Sequence, residues 1–176
     1  MRQSPFFLLL LIMLVSCTAC ETDLATGDVL VEETTDAQAD NTDATFSALA
    51  ITALDLVNET RQVGCLCGTQ RMPPVGTLQL HPQLVTAAQV HADDQAAMQK
   101  MDHRGSDGST VGSRLTHAGF SWRAVAVNVA WNYPNIEAVT QGWFDSPGHC
   151  RNLMNPDYTF FGIGERDLYW TQVFAR

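Results

Sequence analysis

The chain carries apolar residues at helical spacing in two segments that follow residue 45. This spacing predicts helices with one buried face over residues 47–64 and 82–101. A turn at 107–109 followed by an N-cap predicts a third, short helix that runs to Ala118. Gly64 and Gly119 are typical helix stops. The residues predicted to face inward are Leu49, Ala53, Leu56 and Val57 in the first helix, and Leu84, Ala88, His91, Met98 and Met101 in the second.

The remainder of the chain predicts strands and one further helix. Residues 120–132 alternate in part between apolar and other residues, which is typical of a strand. Asn135 can cap a fourth helix that ends at Pro147-Gly148 and faces inward with Ile136, Val139 and Trp143. Residues 159–165 and 168–175 predict two strands joined by a turn at 166–167. Helices packed on a small, mainly antiparallel sheet indicate an α+β fold, a three-layer α-β-α sandwich.

The amino terminus carries a different pattern, an uncharged apolar run at residues 6–15. This run is shorter than the roughly 18 residues needed to span a bilayer, so we predict a signal peptide over residues 1–16. The run leads into Leu14-Val15-Ser16-Cys17, which resembles a bacterial lipobox. We therefore expect lipidation of Cys17 and an exported lipoprotein anchored to the outer membrane or cell surface. The alternative is ordinary cleavage near Ala19, which would discard Cys17 and give a secreted protein.

Residues 17–44 predict an acidic tether between this anchor and the domain at 45–176. The eight acidic residues between 21 and 43 are accompanied by no Lys, Arg or aromatic residue, which favours an extended, disordered linker. They also supply most of the formal net charge of −9, because the chain beyond the linker has eleven acidic and nine basic residues. The sequence shows no basic patch of the kind that binds nucleic acid. The acidity therefore describes the tether and not a binding face.

Several motifs, in order along the domain, resemble those of the bacterial branch of the SCP/CAP superfamily (cysteine-rich secretory proteins, antigen 5 and pathogenesis-related 1). These motifs are Leu56-Val57-Asn58-Glu59-Thr60-Arg61, Ala87-Ala88-Gln89-Val90-His91, His103-Arg104-Gly105-Ser106, Trp143-Phe144-Asp145-Ser146-Pro147-Gly148-His149, Asn152-Leu153-Met154-Asn155-Pro156, Phe161-Gly162-Ile163-Gly164 and Tyr169-Trp170-Thr171-Gln172. The resemblance implies an SCP/CAP-like sandwich. It also implies a cleft with two histidines and two acidic residues, which binds a divalent metal in some members.

When the family's motifs are matched to this sequence, the first cleft histidine corresponds to His103. The second histidine, as bacterial members place it, corresponds to His149. The position of the second cleft histidine in eukaryotic members corresponds to Tyr169. The position of their second acidic residue lies near Asp145. Asn128 completes the predicted cleft. His103 and His149 are the candidate metal ligands, although two imidazoles without a firm third ligand would hold a divalent metal only weakly. We therefore expect no tightly bound cofactor.

Val127 stands where the family's Gly-Glu-Asn motif has its glutamate, within Ala126-Val127-Asn128. A valine can neither accept a proton nor coordinate an ion, which argues against catalysis. The sequence therefore predicts a non-catalytic binding module of the cell envelope or extracellular space. Its ligand would be a lipid, a cell-wall polymer or a protein. The alternative is an envelope hydrolase, metal-assisted or not, that uses His103 and His149.

The cysteines predict a crosslink, since export into an oxidising compartment favours disulfides. Cys65 and Cys67 are both candidate partners of Cys150. The resemblance to bacterial relatives implies the pair Cys67–Cys150. Cys65 is then left over, or pairs with Cys20.

Overall fold

The computed structural model describes residues 46–176, so the predictions for the signal peptide, Cys17, Cys20 and the acidic tether lie outside the described residues. Within them the elements are α1 (Ala48–Val63), β1 (Cys65–Cys67), β2 (Gln70–Met72), β3 (Gln79–Leu80), α2 (Pro82–Met98), α3 (Val111–His117), β4 (Val125–Trp131), α4 (Ile136–Asp145), α5 (Pro147–Leu153), β5 (Phe160–Arg166) and β6 (Tyr169–Ala175). Across 46–176, no helix combines the length and apolar character that a membrane span requires.

The main sheet has four strands in the order β3-β5-β6-β4. β3 runs parallel to β5, and the other two pairings are antiparallel. β5 and β6 are joined by a turn at Asp167 and Leu168, which both have positive φ, one residue later than predicted. β6 is buried along its whole length, because it has a neighbour on each side and helices above and below. The predicted α+β class with a mainly antiparallel sheet is confirmed.

Side chains that alternate along the strands divide the core between the two faces of the sheet. On one face, α1 and α4 pack with Phe161 and Phe174, and the predicted inward residue Trp143 lies at the centre of this cluster. On the other face, α2 and α3 pack against Val173 through Leu84 and Leu115. The three layers of the predicted sandwich are therefore present.

The structure differs from the predicted elements mainly at their ends. α2 ends at Met98 because Gln99 adopts a left-handed conformation. Met101 consequently lies beyond the helix with 49% of its surface exposed, so its predicted inward position was wrong. Pro147 and Gly148 do not end a helix but begin α5, since a proline is well suited to a first helical position.

Candidate functional site

His103 lies in the segment that follows α2, and neighbouring helices fix the backbone of this segment. Its carbonyl oxygen accepts a hydrogen bond of 3.2 Å from Nη2 of Arg114 on α3. The adjacent Asp102 donates its amide to Oε1 of Gln95 at 3.2 Å. The carbonyl oxygen of Asp102 lies 2.8 Å from Nε2 of His91. His103 therefore presents an exposed side chain from a firmly held backbone.

His149 is half-buried in the first turn of α5. Burial lowers the pKa of His149 below its usual 6.5, and the charge of His103 lowers this pKa further. At neutral pH His149 is therefore a neutral imidazole, which offers one hydrogen-bond donor and one acceptor.

A network of buried amides supports the backbone of His149. Nδ2 of Asn128 donates to the carbonyl oxygen of His149 at 3.3 Å and to Oε1 of Gln172 at 3.4 Å. Oδ1 of Asn128 accepts from Nδ2 of Asn152 at 2.8 Å. Asn128 and Gln172 are fully buried and lie opposite each other on β4 and β6. The network contains no carboxylate, so it positions the site without supplying a base.

Val127 points to the other side of β4 from Asn128, because successive strand residues face opposite ways. It is half-buried and packs against the cluster formed by α2, α3 and β6. The position that carries a glutamate in the SCP/CAP superfamily is thus occupied by a packed apolar side chain in this chain.

The structure gives Asp145 and Tyr169 other partners. Asp145 is exposed at the end of α4 and accepts a hydrogen bond of 2.8 Å from Nε2 of Gln141. Tyr169 is buried at the start of β6, and its ring stacks on exposed Trp131 at a centroid distance of 5.9 Å. Among the described residues, no hydrogen bond connects either side chain to His103 or His149.

The donor set around the histidines does not fit a divalent metal centre. Zinc sites in proteins take three or four N, O or S ligands. In the described part of the chain, one group of three potential ligands has its ligand atoms within 4.8 Å of one another. This group consists of Cys65, Cys67 and Cys150. Among residues 46–176, neither His103 nor His149 belongs to such a group.

The predicted core role of His91 agrees with its geometry. This residue is fully buried, and the 2.8 Å contact with the carbonyl oxygen of Asp102 uses its Nε2. Burial lowers the pKa of His91 to about 4, and the nearby charge of Arg114 contributes in the same direction. His91 is therefore neutral at physiological pH and supports the backbone next to His103.

A disulfide joins Cys67 of β1 to Cys150 of α5, which is the pairing implied by the resemblance. It lies next to His149 and connects the β1-β2 hairpin to the helix that carries this histidine. Cys65 is the free cysteine of the described residues.

Sequence reasoning missed the structural role of Arg114. Its side chain is buried and donates to the carbonyl oxygens of both His103 and Ser109. It also lines a cavity of about 440 Å³ between α2 and α3, together with Val90 and Asp94. This cavity includes neither His103 nor His149. The available indication was an arginine within a predicted short helix. Two of its three hydrogen-bond acceptors are backbone carbonyl oxygens, which a pattern of side chains does not reveal.

The sequence of this chain is similar to a protein family and to individual proteins within it. The sequence model of the cysteine-rich secretory protein family, CAP, matches residues 54–172. The uncharacterized protein YkwD of Bacillus subtilis is 27% identical over 87% of this chain and 59% of its own length. The uncharacterized membrane protein YlbC of the same organism is 30% identical over 49% of this chain, which spans only 25% of YlbC.

Two solved structures share the fold. An extracellular protein from Bacillus anthracis that contains an SCP domain superposes with a TM-score of 0.63 at 26% identity, over 72% of this chain and 40% of that one. An outer surface protein of Borrelia burgdorferi superposes with a TM-score of 0.59 at 17% identity, over 72% and 90% of the two chains.

Proposed function

Because the chain belongs to the cysteine-rich secretory protein (CAP) family, we propose that it is an exported, non-catalytic binding domain with its cleft around His103, Asn128 and His149. The observation that carries this proposal is that an apolar residue, Val127, occupies the position of the family's glutamate, while His103 and His149 remain and the charge of His103 acts on His149. A site of this kind can recognise a ligand but lacks the carboxylate that would activate water.

The electrostatics of the cleft favour a ligand that offers polar but uncharged groups. His149 is neutral at physiological pH, and the buried groups behind it are amides. Neutral donors and acceptors discriminate by hydrogen-bond geometry and not by charge. Carbohydrate and amide groups of a cell-wall polymer meet this requirement, so such a polymer is our first candidate ligand.

Export is supported by the likeness to the extracellular SCP-domain protein of Bacillus anthracis. The lipobox-like sequence before Cys17 supports a lipid anchor at that residue. We propose that the acidic segment that follows holds the domain away from the membrane.

The test is a sedimentation assay with purified peptidoglycan and the wild-type chain. The variant His103→Ala should bind several-fold more weakly, whereas His117→Ala, an exposed histidine at the end of α3, should bind like wild type. The wild-type protein should release no soluble fragments from the polymer. Fragment release that is lost in His103→Ala would show the competing function, hydrolysis, and contradict the proposal.

The variant Val127→Glu examines the apolar position itself. If it gains hydrolytic activity that wild type lacks, the domain is a degenerate enzyme that has kept its binding cleft. The Val127→Gln variant is the matched control, because it has similar size and polarity without a titratable group.

A further inference from the structure

Three sulfur atoms meet where β1 packs against α5. Cys65 and Cys67 are two residues apart on β1, so their side chains share one face of the strand. The Sγ atoms of these two residues and of Cys150 all lie within 4.8 Å of one another. Cys67 and Cys150 form the disulfide, and the Sγ atom of Cys65 is 3.7 Å from that of Cys150. A third sulfur is therefore in contact with an existing crosslink.

The surroundings keep these sulfurs together and shield them. Cys150 is fully buried and Cys67 is 2% exposed, in a small apolar cluster with Met154. Cys65 is half-buried at the edge of this cluster. The strand that carries Cys65 and Cys67 belongs to a separate two-stranded hairpin outside the main sheet. A movement of β1 that brings Cys65 into line with the Cys67–Cys150 bond therefore leaves the main sheet intact.

We propose that Cys65 exchanges with Cys67 as the disulfide partner of Cys150. The thiolate of Cys65 attacks Sγ of Cys150, a Cys65–Cys150 bond forms, and the Cys67–Cys150 bond breaks. Cys67 leaves as a thiolate and takes up the proton that Cys65 lost. The step consumes no oxidant or reductant, because one disulfide and one thiol are present before and after it.

Burial of Cys65 determines how quickly the exchange proceeds and therefore how long the Cys67–Cys150 form persists. Only a thiolate attacks a disulfide, and burial raises the pKa of the Cys65 thiol. Exchange is therefore slow at neutral pH, and the Cys67–Cys150 form persists. The released Cys67 would occupy an apolar cluster, where a neutral thiol packs well.

The consequence concerns α5, the helix that carries His149. Both crosslinks hold this helix to β1, but they attach it at positions two residues apart. Exchange would shift α5 against the hairpin without releasing it. This inference does not depend on what the cleft binds.

The first experiment maps the thiols of the purified, full-length wild-type chain. The folded protein is held at mildly alkaline pH, denatured in acid, labelled with a maleimide and analysed by peptide mass spectrometry. We expect the label on Cys65 in most chains and on Cys67 in a minor, measurable fraction that reaches a constant level. Label on Cys65 alone after prolonged incubation would overturn the proposal, and so would a Cys20–Cys65 disulfide.

The second experiment uses variants that each retain one possible crosslink. Cys67→Ser should form a Cys65–Cys150 disulfide on air oxidation and remain folded by circular dichroism. Cys65→Ser is the matched control and should contain Cys67–Cys150 alone, with no maleimide label on Cys67. A folded Cys67→Ser protein in which Cys65 and Cys150 both react with maleimide after oxidation would contradict the inference.

Discussion

The pKa of His149 is lowered by burial and, to a lesser extent, by the charge of His103. A positive charge on one ring disfavours a second positive charge nearby, and this repulsion adds to the effect of burial. In the His103→Ala variant we therefore expect the pKa of His149 to rise towards its ordinary value, but not to reach it, since the burial remains. The measurement is an NMR titration of the imidazole C–H resonances.

The control for this titration is His117→Ala, which removes an exposed histidine on α3 and should leave the pKa of His149 unchanged. An unchanged pKa in His103→Ala as well would show that the two rings do not share a site.

His91 makes stability depend on pH in a defined direction. Its pKa is about 4 in the folded protein and close to 6.5 in the unfolded chain, so the unfolded chain binds more protons between these values. Stability then rises with pH across this window and is lost as pH falls towards 4. For a fully buried group, linkage gives a loss of about 2 kcal/mol between roughly pH 7 and pH 5.

Urea unfolding of wild type and His91→Gln at both pH values measures this contribution. His91→Gln is expected to be less stable at neutral pH but to lose less stability on acidification. His117→Gln should follow the wild-type dependence. If His91→Gln and wild type lose the same free energy of unfolding, another group causes the dependence.

At the scale of elements, the contact between α2 and β5 depends on two glycines. A Cβ atom at Gly162 would lie 2.2 Å from the backbone carbon of Leu84, and one at Gly164 would lie 2.4 Å from Cα of Gln89. Both neighbours are backbone atoms, which cannot rotate away. Gly162→Ala should therefore force α2 off the sheet and destabilise the protein by about 3 kcal/mol or more.

Thermal or urea unfolding measures this cost. The matched control is Gly148→Ala, because a Cβ atom at that position of α5 meets no atom within 4 Å. Equal stability of Gly162→Ala and Gly148→Ala would contradict the close packing of helix and sheet.

Elements with a long periodic pattern were predictable, and short elements were not. The helix predicted over 47–64 corresponds to α1, with Ser47 as its cap and Gly64 after its end, because both termini carry local sequence information. The two-to-three-residue strands of the hairpin and β3 show no such periodicity. α5 was missed because Pro147 can either end one helix or begin the next, and only the tertiary fold decides between them.

At the scale of the molecule, the candidate site shows where sequence reasoning ends. The order of motifs indicated His103 and His149, because each lies in a recognisable segment. Their electrostatic coupling, and the contact of Cys65 with the disulfide, depend on how α5 packs against β1 and β4, which one-dimensional spacing does not encode. Asp145 was included by position alone, and in the structure its carboxylate accepts a hydrogen bond from Gln141.

Arg61 connects three distant parts of the molecule through hydrogen bonds. It is fully buried, with Nε donating to the carbonyl oxygen of Gly76 at 2.7 Å and Nη1 to those of Leu153 and Asn155 at 2.6 and 3.1 Å. Burial lowers its pKa to about 10, so it stays charged at neutral pH. A lysine cannot reproduce this forked geometry. Arg61→Lys should therefore leave buried carbonyls unpaired and cost about 2 to 4 kcal/mol in urea unfolding.

The matched substitution Arg71→Lys changes an exposed arginine of β2 and should alter stability by no more than about 0.5 kcal/mol. The comparison isolates the buried setting of position 61, because both variants exchange an arginine for a lysine. If Arg61→Lys is as stable as Arg71→Lys, water or a shifted ammonium group satisfies these carbonyls. In that case α1, the segment before β3 and the end of α5 are held together by apolar packing and not by the arginine.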